Sequence, residues 1–227
     1  SLTARLVALD LTKYNLGKQS WTRPKTSQRV LLVVGQVETD ASIRLGSPDV
    51  QSNIELLQRV RTENPSDYII YKPHPDVVAG LRKRGQGEDE ASKIADAVIS
   101  QSVALGGLLS QVDEVHTMTS LLGFEALLRG AKVVCHGLPF YAGWGLTEDR
   151  VACARRTRAL SIDELVHGAL VAYPRYYNFE RNCFVEPEQA IDQLAAFAET
   201  GPQTRTWWSK ALRLGIITWI KVTGNTR

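Results

Sequence analysis

The sequence has 227 residues, with 27 Lys and Arg against 24 Asp and Glu, which gives a formal net charge of +3. This charge is too small to indicate a polyanionic partner, so nucleic acid is not expected as a ligand. The length suffices for a substantial hydrophobic core. No signal peptide is expected, and no apolar run reaches the roughly 18 residues that a transmembrane helix needs.

The three cysteines, Cys135, Cys153 and Cys183, show no CxxC or Cys/His spacing. This pattern predicts free thiols in a reducing compartment and no metal site. The sequence begins at Ser1 and its one methionine is Met118. It is therefore expected to be a piece of a longer protein.

The first predicted elements follow a connector. Residues 29–34 are a run of β-branched residues and leucine, which is typical of a buried parallel strand. Residues 35–46 hold many short polar groups and are predicted to form a loop at the carboxyl end of that strand, where open α/β sheets bind ligands. Residues 53–63 have the apolar spacing of an amphipathic helix.

A second strand is predicted over residues 68–71, and it leads into Lys72-Pro73-His74-Pro75. Two prolines fix the backbone around His74, so the imidazole is expected to be held in place to meet a phosphate or a leaving group. The alternative is a rigid exit loop whose histidine packs or caps. Residues 82–90, RKRGQGEDE, lack Walker-type phosphate-loop spacing and are predicted to be a solvated surface loop.

The most informative stretch is a predicted strand–helix–strand unit over residues 111–150. The strand covers residues 112–117, the helix residues 121–129 and the second strand residues 132–136. Unpaired N–H groups at the start of a helix favour an anion. The unit therefore predicts a seat for a nucleotide phosphate.

Four side chains in this unit are candidates for ligand contact. Thr117, Thr119 and Ser120 supply hydroxyl groups at the turn, and Glu125 lies one helical turn further in, in reach of a ribose. The alternative is that Thr119 or Ser120 is only a helix N-cap.

Further elements complete the α/β pattern. Arg155, Arg156 and Arg158 form a basic cluster that either holds an acidic substrate or is solvated. The remaining predictions are a helix over 91–99, an apolar segment over 103–109, a strand over 151–153, a capping box at 161–164 before a helix over 165–173, an aromatic loop over 173–179 and a helix over 188–199. Alternating strands and helices predict a doubly wound parallel sheet.

The C-terminal tail departs from this pattern. Residues 207–222 combine three tryptophans and aliphatic residues with lysine and arginine. Such a segment suits a membrane interface, and it equally suits a helix packed on another protein surface.

Three motifs together resemble one known family. They are Gln36-Val37-x-x-Asp40-Ala-Ser-Ile, Lys72-Pro-His-Pro75, and Ser120-Leu-Leu-Gly-Phe-Glu125 followed by Gly137-x-Pro-Phe-Tyr-Ala-Gly-Trp-Gly145. In this order they look like the capsule polysaccharide biosynthesis (KpsC/LipB) family, the β-Kdo glycosyltransferases of Gram-negative bacteria. The resemblance covers about residues 13–177.

The resemblance implies a domain organisation and a reaction. Residues 27–200 would be a Rossmann-like donor-binding domain, one half of a GT-B glycosyltransferase, and residues 1–26 a connector or remnant of an acceptor-binding domain. Residues 201–227 would be an amphipathic tail. The implied donor is CMP-Kdo and the implied acceptor is a lipid-linked glycan. The implied location is the cytoplasmic face of the inner membrane, and the implied partners are the inner-membrane surface or capsule assembly proteins.

The resemblance also implies roles for individual residues. His74 and Pro75, with Lys72 nearby, would contact the CMP phosphate and nucleotide. Thr119 and Ser120 would bind phosphate, and Glu125 would take the ribose hydroxyls. No DxD pair stands at a strand end, so no metal or other cofactor is expected. Arg44 is a further candidate cation for the anionic donor.

Retention of the β configuration by double displacement requires a carboxylate nucleophile. Asp40 is the first candidate, and its alternative is an Asx cap for the following turn. Glu38 is the second candidate, since on an extended backbone it would point the same way as Asp40. Two other functions stay open: a nucleotide-sugar sensor or scaffold without catalysis, and a GT-B enzyme with a UDP-sugar donor.

Overall fold

The structure is a computed structural model that describes residues 1–12, 19–101 and 103–200. The predicted amphipathic tail lies outside the described residues. A six-stranded sheet, parallel throughout, forms the centre of the fold, in the order β3-β2-β1-β4-β5-β6. Its strands are β1 (Val30–Val34), β2 (Tyr68–Lys72), β3 (Ala97–Val98), β4 (Glu114–Thr117), β5 (Lys132–Cys135) and β6 (Glu148–Asp149).

Helices cover both faces of this sheet, which confirms the predicted doubly wound α/β fold. An antiparallel hairpin of β7 (Tyr176–Asn178) and β8 (Cys183–Val185) follows it. The helices are α1 (Leu2–Ala8), α2 (Ala41–Gly46), α3 (Asn53–Glu63), α4 (Pro75–Val78), α5 (Ala91–Ile94), α6 (Leu105–Leu109), α7 (Leu121–Leu128), α8 (Ile162–Val166) and α9 (Pro187–Thr200).

The apolar sequence of β1 accounts for the central position of that strand. All five of its residues are buried, because both faces of the sheet are covered. Leu32 points into the core layer that contains Phe124, and Leu31 points into the opposite layer with Leu56 and Met118. Two hydrophobic layers, one on each face, therefore hold the sheet.

The strand–helix–strand unit predicted around residues 111–150 is confirmed, with shorter boundaries than expected. β4, α7 and β5 occupy the expected places, and the predicted helix over 53–63 matches α3. Residues 1–26 include α1, whose Leu2 packs against the core and whose Arg5 forms an ion pair with Asp192. The first residues are thus docked on this domain.

Several predicted elements are wrong in extent. The helix expected over 91–99 ends at Ile94, because Asp96 joins the sheet edge: its N–H donates to Ile69 O at 2.8 Å, and its carboxylate accepts from Ile69 N–H at 2.8 Å. Ala97 then pairs with Ile70 as β3. The strand expected over 151–153 is absent, and the edge strand is β6, whose Asp149 pairs with Cys135.

Two loop predictions are also wrong. The loop expected over 35–46 contains α2, because Ile43 is buried in the core and gives this short helix an anchor. The aromatic loop expected over 173–179 contains β7, which is stabilised by pairing with β8. The capping box at Ser161 is confirmed, although the helix it begins, α8, passes into a π-helical turn at residues 167–172.

A polar network is buried between the sheet and α3. His116 Nδ1 lies 3.2 Å from His136 Nε2, and His116 Nε2 lies 2.8 Å from a carboxylate oxygen of Glu114. Burial lowers the pKa of His136 to about 3, with further lowering by His116, Arg150 and Arg59. Contact with His116 and with Lys132 lowers the pKa of Glu114 to about 2.

A close contact between α7 and the loop after β5 generates the first prediction. A methyl group at Gly123 would overlap the hydroxyl of Tyr141, which is fully buried and donates to the Ser120 carbonyl. Gly123→Ala should therefore lower the free energy of unfolding by about 1–3 kcal/mol in urea denaturation.

The matched control is Gly107→Ala in α6, where nothing lies within 4 Å of the added carbon. Helix propensity makes that change neutral or stabilising by up to about 1 kcal/mol. Adding Tyr141→Phe to Gly123→Ala removes the overlapping oxygen and should recover part of the loss. Equal stability of the two alanine variants would contradict the close contact.

The low pKa of the buried His136 leads to a second prediction. Its pKa is about 3 in the folded chain against an ordinary 6.5, so between these values the unfolded chain binds one more proton. The contribution of neutral His136 to the free energy of unfolding is fully present above the ordinary pKa and is lost as the pH falls towards 3. Between about pH 7 and pH 5 the loss should be about 2 kcal/mol in denaturant titrations.

His136→Gln should remove most of this pH dependence, because no proton is taken up on unfolding at that position. Glu114 contributes little in this window, since its ordinary pKa of 4.5 lies below about pH 5. His167 is exposed, so His167→Gln is the control. This variant should lose as much free energy of unfolding between about pH 7 and pH 5 as the wild type does. An unchanged difference in His136→Gln would assign the effect to other groups.

Candidate functional site

Three neighbouring strands bring the predicted site residues to one edge of the sheet. β1 pairs in parallel with β2 on one side and with β4 on the other, so the carboxyl ends of the three strands lie side by side. The chain order reverses between β1 and β4, and such switch points are where open α/β sheets bind ligands. Stretches far apart in sequence therefore meet at one crevice.

Gln36, just after β1, connects the two strands at the switch point. Its Nε2 donates to Thr119 Oγ1 at 2.9 Å. Its Oε1 accepts from the Thr119 N–H at 2.9 Å and from the Thr117 hydroxyl at 3.2 Å. This side chain is only 8% exposed and fixes the turn that precedes α7.

Gln36 was not among the site residues predicted from the sequence, where it appeared only as a letter of a motif. The available signal was a long amide side chain directly after a fully buried strand. Such a group must find hydrogen-bond partners when it is buried. Its partners lie more than 80 positions along the chain, which local patterns do not reveal.

The loop after β1 is closed by Asn53, the first residue of α3. Asn53 Oδ1 accepts from the Gln36 N–H at 2.8 Å, and Asn53 Nδ2 donates to Gln36 O at 2.8 Å. The Glu38 carboxylate accepts from the N–H groups of Asn53, at 2.7 Å, and Gln86, at 3.3 Å. Glu38 is thus held by two backbone amides, one at the start of α3 and one in the segment 82–90.

Asp40 has a different environment. Residues 37–40 form a turn, with the Asp40 N–H donating to Val37 O at 3.0 Å, so the extended backbone expected between Glu38 and Asp40 is wrong. Asp40 precedes α2, but its side chain makes no capping hydrogen bond, which contradicts the Asx-cap alternative. Its carboxylate forms an ion pair with Arg82 and is 48% exposed.

His74 caps the short helix α4. Its Nδ1 accepts from the Asp76 N–H at 3.2 Å, and Pro75 occupies the first helical position. The capping contact that the alternative expected is therefore present, whereas contact of the ring with a phosphate stays a prediction. With Nδ1 as acceptor, the ring carries its proton on Nε2. Burial lowers the pKa of Lys72, two residues earlier.

Ser120 is the N-cap of α7, as one alternative predicted. Its Oγ accepts from the Leu122 N–H at 3.2 Å, and its own N–H donates to Thr117 Oγ1 at 3.1 Å. Glu125 is only 6% exposed within α7. Burial raises the pKa of Tyr141, in the loop after β5, well above its ordinary value, and the acidic groups Cys135, Asp149 and Glu125 add to this shift.

The glycine- and aromatic-rich loop after β5 is held by a basic residue. Arg156 Nη1 donates to the carbonyls of Pro139 and Ala142 at 2.6 Å each, and its guanidinium lies 5.5 Å from the Trp144 ring centre. Gly137 is required at the start of this loop, because a Cβ there would come within 2.7 Å of Gly46 O.

The predicted basic cluster is accordingly divided. Arg156 turns inwards onto the loop, Arg158 bonds to Glu164 at 2.9 Å, and Arg155 is exposed. Arg44, the further candidate cation, lies exposed on α2. The cluster does not form one surface for an acidic ligand.

Residues 82–90, predicted to be solvated, contact the site. Arg82 pairs with Asp40, and Glu88 is buried, where it accepts a hydrogen bond from the Tyr71 hydroxyl. The prediction from composition was wrong because the buried Glu88 accepts a hydrogen bond from Tyr71, which is 17 positions away in the sequence. Arg82 is thus a second site residue that sequence reasoning missed.

The edge as a whole can bind an anion next to a carboxylate. It combines a capped helix start, an imidazole, a partly buried lysine and a guanidinium beside Asp40. In the part of the chain that the structure describes, no group of three His, Cys, Asp or Glu side chains could hold a metal ion. Among the same residues, no helix is long and apolar enough to cross a membrane.

Comparison with known proteins agrees with the motifs. Residues 1–177 match the family described as capsule polysaccharide biosynthesis protein. The capsule polysaccharide modification protein LipA of Neisseria meningitidis serogroup A is 52% identical over 184 residues, which are 81% of this chain and 26% of LipA. The lipopolysaccharide-processing protein LpsZ of Rhizobium meliloti is 45% identical over 190 residues, 83% of this chain and 43% of LpsZ.

Two solved structures from Thermosulfurimonas dismutans share the fold. The KpsC β-Kdo 2,7 transferase is 42% identical with a TM-score of 0.72, and the KpsC β-Kdo 2,4 transferase is 32% identical with a TM-score of 0.74. Each match covers 86% of this chain and 60% of the solved chain. The chain spans about a quarter of LipA and less than half of LpsZ. It belongs to the capsule polysaccharide biosynthesis protein family.

Proposed function

We propose that this chain forms the donor-binding half of a GT-B-type glycosyltransferase that transfers Kdo from CMP-β-Kdo to a lipid-linked glycan. The product would retain the β configuration, and Asp40 would be the nucleophile. The acceptor-binding half would lie outside residues 27–200, and the enzyme would work in capsule synthesis at the cytoplasmic face of the inner membrane.

The observation that carries this proposal is the arrangement at the switch point. Gln36 fixes the turn that opens α7 beside the exit of β1, and Asp40 follows on the same loop. An anionic donor could thus place its phosphate at the start of α7 and its sugar near a carboxylate. The 42% identity to a protein named as a β-Kdo transferase supports the choice of sugar.

The proposed nucleotide contacts follow from this placement. The positive end of the α7 helix dipole and the hydroxyls of Thr119 and Ser120 would meet the phosphate. His74, with its proton on Nε2, and Lys72 would stabilise the charge on the departing CMP. Glu125 would take the ribose hydroxyls. No metal or other cofactor is required by these contacts.

The chemistry would proceed in two displacements. An Asp40 carboxylate oxygen attacks the anomeric carbon of Kdo, and the bond to the phosphate oxygen breaks, so that CMP leaves with the electron pair. An acceptor hydroxyl then attacks the same carbon, its proton passes to solvent, and the bond from that carbon to the Asp40 oxygen breaks, so that Asp40 leaves as a carboxylate. Two inversions give retention. Asp40 suits this role better than Glu38, whose oxygens accept from two backbone amides.

A binding and transfer experiment tests the proposal. Calorimetry on the chain should give a dissociation constant for CMP about tenfold lower than for UDP. In the full-length protein, Asp40→Asn should retain CMP binding and lose transfer from CMP-Kdo by about a thousandfold, because the amide is not a nucleophile. The exposed Asp49→Asn is the matched control and should transfer normally.

Each other outcome would favour a different function. Preference for UDP would indicate a UDP-sugar enzyme. Tight CMP binding without transfer by the full-length wild type would indicate a sensor or scaffold. Normal transfer by Asp40→Asn would remove Asp40 from the mechanism, and absence of nucleotide binding by the folded protein would overturn the donor site.

Gln36 provides an independent test of the phosphate seat. Gln36→Ala removes the partners of Thr119 and Thr117, so the turn before α7 should loosen. We expect the dissociation constant for CMP to rise by about tenfold or more, which is about 1.4 kcal/mol. Gln58→Ala, at an exposed position of α3, should bind CMP as the wild type does.

Thermal melting must accompany the titration, since a buried group left without its hydrogen bond costs about 1–3 kcal/mol. The prediction concerns the variant at temperatures where it is fully folded. A folded Gln36→Ala protein with unchanged CMP affinity would place the nucleotide elsewhere.

A further inference from the structure

The segment 82–90 folds back over the end of β1 and contacts both candidate carboxylates. Arg82 Nη2 pairs with an oxygen of Asp40, and the Gln86 N–H donates to Glu38 at 3.3 Å. These two contacts differ in kind. Among the residues that the structure describes, Glu38 accepts from two backbone amides, whereas Asp40 faces a side-chain cation.

Both ends of this segment are anchored in the fold. At one end, the N–H groups of Leu81 and Arg82 donate to Asp76 O at 2.8 and 3.2 Å, so the backbone of Arg82 is attached to α4, the helix that His74 caps. At the other end, Glu88 is buried against the Tyr71 hydroxyl and accepts from the Gly85 N–H at 2.8 Å. The position of Arg82 is therefore set by the scaffold.

We propose that Arg82 binds the carboxylate of an acidic sugar donor and that this carboxylate displaces Asp40 from the guanidinium. The inference rests on the proposed function, in which Asp40 attacks the sugar. It assigns the sugar specificity of the site to a residue outside the nucleotide contacts. The exchange makes and breaks no covalent bond: one carboxylate replaces another on the same cation.

The chemistry of the pair suits such an exchange. A guanidinium presents paired N–H donors that match both oxygens of a carboxylate. The side chains of Arg82 and Asp40 are 30% and 48% exposed, and ion pairs that remain in contact with water are weak. A carboxylate delivered by a bound nucleotide has a high effective concentration and competes well.

The exchange would couple specificity to catalysis. With no acidic sugar bound, the nucleophile is paired with Arg82. When the donor carboxylate takes the guanidinium, Asp40 is released next to the anomeric carbon, which in Kdo carries the carboxylate. A neutral sugar nucleotide has no group to displace Asp40 and should react slowly. Glu38 stays on its backbone amides and does not compete.

The test compares a ligand that has the sugar carboxylate with one that lacks it, in the full-length protein. Arg82→Gln should raise the dissociation constant for CMP-Kdo by about tenfold or more and change that for CMP by less than about twofold. Arg82→Lys should be intermediate, since a lysine offers a point charge without the paired donors. Lys83→Ala, the exposed neighbouring cation, should match the wild type for both ligands.

A double-mutant cycle separates carboxylate binding from a structural role. Asp40→Asn removes the competing carboxylate, so CMP-Kdo should bind more tightly to it than to the wild type. In the Arg82→Gln background, Asp40→Asn should increase the affinity for CMP-Kdo much less. This non-additivity is expected if the carboxylates of Asp40 and of the sugar compete for the Arg82 guanidinium. Parallel loss of CMP and CMP-Kdo binding in Arg82→Gln, or additive effects, would overturn the inference.

The outcomes also distinguish the inference from the proposed function. If the wild type binds neither CMP nor CMP-Kdo, the donor site itself fails. If the wild type binds and transfers Kdo while Arg82→Gln binds CMP-Kdo normally, the proposed function stands and the role of Arg82 is wrong.

Discussion

Parallel pairing of β1 with both β2 and β4 is the constraint on which the site depends. It places three strand exits side by side, and reversal of the chain order opens a crevice between two of them. Gln36 spans this crevice through bonds to Thr117 and Thr119. A slip in strand register would separate these groups, so the hydrophobic pairing of the sheet and the geometry of the site are specified together.

β1 and β2 could be predicted from sequence because their segments, VLLVV and YIIYK, are largely apolar and buried within the sheet. The edge strands could not. β3 and β6 have two residues each, which is too short for any period, and they exist because a neighbour offers a paired edge. The helix expected over 91–99 was wrong for this reason: the pairing of Ala97 with Ile70 overrides local preference.

In the candidate site, too, some features follow from the local sequence and others depend on contacts between distant residues. Residue types at strand ends were informative, and Ser120 and His74 lie where the motifs put them. Their pairings are non-local: Arg82 and Asp40 are 42 positions apart, and Gln36 and Thr119 are 83 apart. Nothing in the local pattern indicates such a contact. Roles of single residues could therefore be suggested from sequence, whereas the network that orients them required the fold.

Segment 82–90 shows how a polar sequence can be part of the interior. A buried carboxylate is tolerated only with hydrogen-bond partners. Glu88 has two, the Tyr71 hydroxyl and the Gly85 N–H. Burial of the Tyr71 ring first, and then its hydrogen bond to Glu88, raise the pKa of Tyr71, which keeps the tyrosine a hydrogen-bond donor. Glu88 fixes one end of the segment, and the N–H of Arg82 attaches the other end to α4. The backbone path between these two residues is therefore constrained. A guanidinium is thereby held beside Asp40 at the edge where an anionic ligand would enter.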